Sequence, residues 1–257
     1  MKAFLLAGTA LVTGTAAFAA DLPARMPTKA PVAVAAPFSW TGCYIGGHVG
    51  AGWARTDFSD PSGGFIAPIG SAVQVDSDAK FLGGGQVGCD YQFATNWVIG
   101  VAGDFSWASI DGLADDPFFS GKTAGIPLTV HSRTDFLATA TGRIGYAWNT
   151  LLIYGKGGFA WSHDKYQANN FNCTTLIFVS CNTSASETRT GWTAGGGVEW
   201  AFMPNWSLLV EYDHYGFGTN NVTFLDPNQA GFPVAFGVKQ DIDAVKVGVN
   251  YRFGWAR

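Results

Sequence analysis

The sequence predicts an all-β chain, an eight-stranded antiparallel up-and-down transmembrane β-barrel with four long extracellular loops and three short periplasmic turns. Three observations carry that expectation. From Trp40 onward apolar and polar residues alternate with period two in eight segments, near residues 40–58, 78–93, 97–110, 130–148, 151–164, 187–202, 206–217 and 240–255. Each exceeds the roughly 9–11 residues that a tilted strand needs to cross a bilayer. The connections between segments alternate long and short, and aromatic residues gather toward both ends of the segments.

Before the first segment the texture is different. Met1-Lys2 opens a short apolar run that ends in Ala17-Phe18-Ala19. This reads as a secretory signal peptide over residues 1–19, cut after Ala19. Residues 20–39 hold Pro23, Pro27, Pro31 and Pro37 among alanines and valines. Proline removes ladder donors, so an extended N-terminal segment is expected there and the barrel over residues 40–257. No later stretch reaches the roughly 18 consecutive apolar residues of a transmembrane helix. The chain of 257 residues is 13% charged and 15% aromatic with a net charge of −4, too apolar for disorder and without a cationic surplus for nucleic acid.

The connections give the strands their direction. Ala94-Thr95-Asn96, Asn149-Thr150 and Met203-Pro204-Asn205 are short, and each contains an asparagine, which tolerates tight-turn backbone angles. The long connections, near residues 59–77, 111–129, 165–186 and 218–239, are rich in Gly, Pro, Asn, Asp and Ser. A strict long–short order is the rhythm of an outer-membrane barrel, with short turns inside and long loops outside.

Aromatics beside the short turns and chain ends are Trp40, Tyr91, Phe93, Trp97, Tyr146, Trp148, Trp200, Phe202, Trp206, Phe253 and Trp255. Toward the long connections lie Trp53, Phe81, Phe105, Trp107, Phe136, Phe159, Trp161, Trp192, Tyr215 and Phe217. Two such belts match the girdles at the two membrane interfaces. In the last segment Val245, Val247, Val249, Tyr251 and Phe253 alternate with Lys246, Gly248, Asn250 and Arg252. Across the segments the polar face collects Asp90, Asp104, Glu199, Glu211 and Asp213 against Arg143, Lys156, Lys246 and Arg252. An eight-stranded barrel is just wide enough for side chains to fill, and buried charges must pair or keep water. The valines are therefore expected to face lipid and the charges to form a lumen network. The 34 glycines leave room for long charged side chains and ease the curvature.

The stretches "FSWTGCYIGGHVGAGWA" at residues 38–54, "GGGQVGCDYQF" at 83–93 and "VKVGVNYRFGW" at 245–255 resemble the small porin-like outer-membrane family of alpha-proteobacteria, which includes immunogenic surface proteins. The resemblance covers essentially the whole chain after residue 19. It implies an architecture like the OmpA membrane domain, a place in the bacterial outer membrane, contact with its lipid and lipopolysaccharide, and delivery by the barrel-assembly machinery. Members of such families commonly end on an aromatic residue; here Phe253 takes the corresponding place and residues 254–257 follow it.

Four cysteines in an exported chain point to disulfides. Cys173 and Cys181 share one long connection. Pairing Trp40 with Gln92 would set Cys43 opposite Cys89 on adjacent strands. Catalytic chemistry finds little footing. Ser162 and His163 are adjacent and so point to opposite faces, as do Asp213 and His214, while His48 could face the lumen near glycines without a clear acid; the four histidines, His131 included, read as interfacial or loop residues. No catalytic, cofactor or metal residue is assigned. The expected role is non-enzymatic, envelope structure and surface loop display. A narrow porin-like channel through the charged lumen is the alternative, and a lipid-modifying enzyme the third reading.

Overall fold

A computed structural model describes residues 38–59, 72–115, 129–172, 180–224 and 234–254, all within the unit Pro37–Arg257. The expected signal peptide and most of the segment 20–39 lie outside them. Nine strands form one antiparallel sheet: β1 (Gly42–Ser59), β2 (Ala72–Asp76), β3 (Lys80–Phe93), β4 (Trp97–Asp115), β5 (Thr129–Trp148), β6 (Leu151–Asn172), β7 (Ser180–Met203), β8 (Trp206–Phe224) and β9 (Val234–Gly254). Each long strand pairs with the next, and β1 also pairs with β9 from Gly42↔Gly254 to Ser59↔Gly237, which closes the ring.

The ring itself has eight members. The short β2 lies inside the stretch expected to be a loop, pairing with the far end of β1 (Arg55↔Asp76) just beyond the point where β3 takes over (Gly52↔Lys80). It continues the line of β3 after a break at residues 77–79, where the Ser77 amide donates to the Ala54 carbonyl and the Ala54 amide to Ser77 Oγ. Several strands also run further than their alternation implied. β6 reaches Asn172 and β7 begins at Ser180, giving 22 and 24 residues. Above the bilayer a ladder needs no apolar face, so backbone pairing continues where the hydrophobic signal stops. The long connections shrink accordingly to residues 60–71, 116–128, 173–179 and 225–233, all outside the described residues.

The side-chain alternation of β9 decides which way the wall faces. Val245, Val247, Val249, Tyr251 and Phe253 are 36% to 52% exposed, whereas Lys246, Asn250 and Arg252 are at most 5% exposed. The same inversion holds around the ring: Ile45, Val49, Val87, Val101, Ile144, Ile153, Val198 and Val210 cover the outside. A wall of β-branched residues with a charged interior is the reverse of a soluble barrel, and its solvent is lipid. Cross-strand ring pairs build the two belts, with Trp97 on Tyr146 and Trp206 on Tyr251 at the turn end, and Phe136 on Phe105 at the other. Trp40, Tyr215 and Phe217 correct the expected belts. All three are buried inside the barrel, because their positions share the parity of the lumen residues.

At the short turns the expected left-handed asparagine occurs at Asn149, while in the first turn the strain falls on its neighbours. Ala94, Thr95 and Asn149 take positive φ (44°, 69° and 56°). Asn96 and Asn205 instead donate through Nδ2 to the carbonyls of Ala147 and Arg252 on neighbouring strands. At the other end Gly218, at φ 62°, forms a bulge where the β8–β9 register shifts between Gly216 and Thr219. The β1–β3 seam is glycine-rich, with Gly47 facing Gly85 and His48 facing Gly84. Few side chains specify its register. Cys43 and Cys89 are register partners there, disulfide-bonded on the outer face. The side chains of Cys173 and Cys181 lie outside the described residues.

Candidate functional site

The lumen is the candidate site, and β9 gives its order. Rising from the turn end, its inward residues are Arg252, Asn250, Lys246, Ala244, Ile242 and Gln240. Each marks a layer, because neighbouring strands bring residues of matching height to the same level.

The lowest layer is apolar. Trp40 lies with Val98, Ala147, Leu152, Tyr154 and Ala201, with Phe38 packed against it. Its indole Nε1 donates to the Asn149 carbonyl at 3.0 Å, and its amide donates to Gln92 Oε1 at 2.8 Å. The chain thus enters the ring by placing an indole across its turn-end mouth.

Above it Arg143 and Arg252 share Asp90 and Glu199. Arg143 donates through Nε to Asp90 (2.7 Å) and through Nη1 to Glu199 (3.3 Å), and its Nη2 also meets Asp90. Arg252 donates to Asp90 at 2.9 Å and to Glu199 at 2.8 Å. Ser207 and Asn250 complete Glu199 Oε1 at 2.6 and 2.9 Å. The guanidinium planes rest on aromatic faces, Arg252 over Trp40 at 4.4 Å and Arg143 over Tyr44 at 4.7 Å. Two cations and two carboxylates therefore neutralise each other directly.

A neutral bridge follows. Gln86 donates to Asn250 Oδ1 (2.8 Å), its Oε1 lies 2.5 Å from His48 Nδ1, and His48 Nε2 meets Ser106 Oγ at 2.7 Å. The second ionic layer joins Lys156 and Lys246 to Asp104, Glu211 and Asp213. Lys246 lies 2.8 Å from Asp104 and 2.9 Å from Asp213; Lys156 lies 2.5 Å from Glu211 and 3.0 Å from Asp213. Here acids outnumber cations, and hydroxyls hold the difference: Tyr154 donates to Glu211 (2.7 Å), Tyr215 to Asp213 (3.3 Å), and Thr139 to Asp104. All nine residues of the expected lumen network stand on the inward face, and the structure divides them into these two layers.

Leu82, Ile110, Leu137, Ala160, Tyr215, Phe217, Ile242 and Ala244 then cross the bore as a second apolar layer. Beyond it lies a polar cluster. Thr134 and Ser162 donate to Asp164 (2.5 and 2.7 Å), while Arg189 donates to Tyr166 (3.2 Å) and to the carbonyls of Val238 (2.5 Å) and Gly218 (3.1 Å). His48, which the sequence allowed to face the lumen, does so, whereas sequence reasoning missed Tyr44, Tyr154, Asp164 and Arg189. Their signal was parity alone: Tyr154 and Asp164 fall in step with Lys156, Arg189 with Glu199, and Tyr44 with His48.

Close packing of these layers depends on absent side chains. A Cβ at Gly100 would strike Asp90 Oδ1 and stand 2.8 Å from the Cys89 carbonyl. Gly100→Ala must push Asp90 off its two arginines, and the expected loss is roughly 1–3 kcal/mol, as for other overpacked interiors. The urea midpoint of the barrel refolded in lipid vesicles measures it.

The remaining histidines do not build a catalytic set. His163 faces outward, opposite to Ser162 as expected; it stacks on Phe136 and meets Thr188 and Ser186 at 3.2 Å each, while Ser162 points inward to Asp164. His214 faces out against Asp243 at 2.8 Å, with Tyr212 donating to the same carboxylate at 2.6 Å. Among the described residues no serine or cysteine is bonded to that pair, and no group of three metal-ligating side chains occurs.

The outer rim carries further charges. Arg133 and Lys165 are register partners on the outer wall, and Asp135 meets both, at 2.9 and 2.5 Å. Its carboxyl, above the outer belt, is held below the usual carboxylate range by the Lys165 hydrogen bond first, with Lys165 and Arg133 charges adding to it.

The family model described as outer membrane protein beta-barrel domain matches residues 28–253. The 31 kDa outer-membrane immunogenic protein of Brucella melitensis is 31% identical over 257 residues, covering 98% of this chain and 100% of that protein. The 25 kDa outer-membrane immunogenic protein of Brucella abortus is 30% identical over 260 residues, covering 98% and 99%. Among solved structures, the outer membrane protein OprG of Pseudomonas aeruginosa matches with a TM-score of 0.46 and 12% identity, over 84% of this chain and 98% of that one.

Proposed function

The chain belongs to the outer membrane protein beta-barrel domain family and resides in the bacterial outer membrane, and from that premise we propose that it is a non-enzymatic envelope protein, anchored by its barrel and displaying its outer rim and loops. The observation that carries this reading is the filled lumen. Two layers of mutually paired charges lie between two apolar layers, the lower closed by Trp40. An ion entering this bore would have to displace buried salt bridges and then cross apolar layers, so the interior favours an anchor over a channel. Strand length supports display. Strands of 19 to 24 residues, such as β4 to β8, are about twice what a bilayer requires, so their upper halves stand clear of it.

The test is conductance. Purified barrel inserted into planar bilayers is expected to give no unitary steps. Steps that change after Glu211→Ala or Arg252→Ala would establish the channel reading in its place.

A further inference from the structure

The β1–β3 ladder is short and rich in glycine. It runs only from Gly42↔Asp90 to Gly52↔Lys80, and every rung from Gly46↔Gln86 to Gly50↔Leu82 contains a glycine. Inside the barrel the close packing requires this. A Cβ at Gly46 would overlap Asn250 Oδ1, and one at Gly84 would overlap the Phe105 carbonyl. Larger residues at these positions therefore cannot set the pairing, and a glycine-rich ladder is prone to slip. A two-residue slip keeps every side chain on its own face yet carries Gln86 and Asp90 about 7 Å out of their layers. Because β1 also pairs with β9, such an error would reach the closure of the ring.

One rung admits a single register. Cys43 and Cys89 stand opposite each other near the turn end and are disulfide-bonded. Positions two residues off the rung are about 7–8 Å apart, beyond the reach of a disulfide. The surroundings of the bond also date its formation. Cys43 lies beside Phe253 on β9 and Cys89 beside Val101 on β4, with Ile45 and Val87 on the next outward rung. All four neighbours are exposed on the lipid face. A protein oxidant works through a mixed disulfide, which needs a thiolate and direct contact between the two proteins. Apolar surroundings disfavour the thiolate, and lipid around the wall keeps a soluble protein away.

We propose that Cys43 and Cys89 are oxidised in the periplasm before the barrel enters the membrane, by a soluble protein disulfide of that compartment, and that the bond fixes the β1–β3 register. One cysteine thiolate attacks the oxidant's disulfide, and the other displaces the mixed bond. Two electrons and two protons leave on the oxidant as a dithiol. Thiol oxidation thus precedes membrane insertion in the maturation of this chain, whether the finished barrel is an anchor or a channel.

The order is tested on the full chain in pulse-labelled cells that export it. The folded, heat-modifiable band is cut from unboiled gels, denatured and alkylated, and its free thiols are assigned by peptide mass spectrometry. Oxidised, unfolded chain is expected to appear before the folded band, which carries no free thiol at Cys43 or Cys89 at any time. A folded band whose two thiols are free, and become oxidised later, overturns the proposal. The register role is tested by refolding into lipid vesicles. Cys43→Ala with Cys89→Ala keeps the lipid face apolar and retains Cys173 and Cys181. This variant is expected to give about fivefold less folded band than the oxidised parent, and the reduced parent to match it. Equal folded yield from the variant and the oxidised parent overturns the proposal too. A variant that does not fold at all is the expected loss at its largest, and the order is still read from the parent alone.

Discussion

Glu199→Ala is expected to destabilise the barrel by roughly 3–5 kcal/mol, the cost of leaving buried charge without its partner. Four groups converge on this carboxylate: Arg143, Arg252, Ser207 and Asn250. With it gone, two guanidinium groups face Asp90 alone, inside a wall that lipid surrounds. Arg252 also holds the Trp40 carbonyl at 3.3 Å and stacks on its indole, so the loss reaches the lower apolar layer. Urea unfolding in vesicles, followed by the loss of the heat-modifiable band, reports the change. Lys239→Ala, which removes the exposed pair with Asp241, serves as the comparison and is expected to cost under about 1 kcal/mol. A Glu199→Ala midpoint as small as that comparison would mean that water reaches the lower ionic layer. The filled-lumen account would fail with it.

Val247→Arg is expected to cost roughly 2–4 kcal/mol, the penalty of a cation on the lipid face near the bilayer midplane. Val247 stands midway between Phe253 in the lower belt and Asp243, whose β1 partner Trp53 is in the upper one. Its neighbours across the ladder are Val49 and Val210, so no lumen water or carboxylate is within reach. Val247→Ile should leave stability within about 0.5 kcal/mol, as a branched side chain facing fluid lipid meets no rigid packing partner. The same vesicle titration measures both. A tolerated arginine at this position would place the valine face in water and reverse the orientation of every strand.

The nine lumen charges were legible because alternation has a period of two. Once one residue of a strand is assigned a face, its neighbours follow, and Lys246 and Arg252 opposite Val247 fixed β9 without reference to any other strand. The same rule would have assigned Tyr44 and Arg189, had the polar face been followed beyond its charges. It would have failed in β5, where the bulge at Asp135 shifts the inward set from Leu137 and Arg143 to Ser132 and Thr134. Nothing in the local sequence marks that bulge.

By itself, then, the sequence determined the class of the fold, the lipid-facing side of each strand, the turn positions and the set of charges sent inward. All of these are local properties, set by backbone alternation and by which residues tolerate a turn. The tertiary structure alone decided how that set divides, with Asp90 and Glu199 at the arginines and Asp104, Glu211 and Asp213 at the lysines. It also decided that β2 lengthens the β3 edge. Those outcomes depend on the heights at which strands meet around a closed ring. That stagger is a property of all the pairings together, and no single strand encodes it.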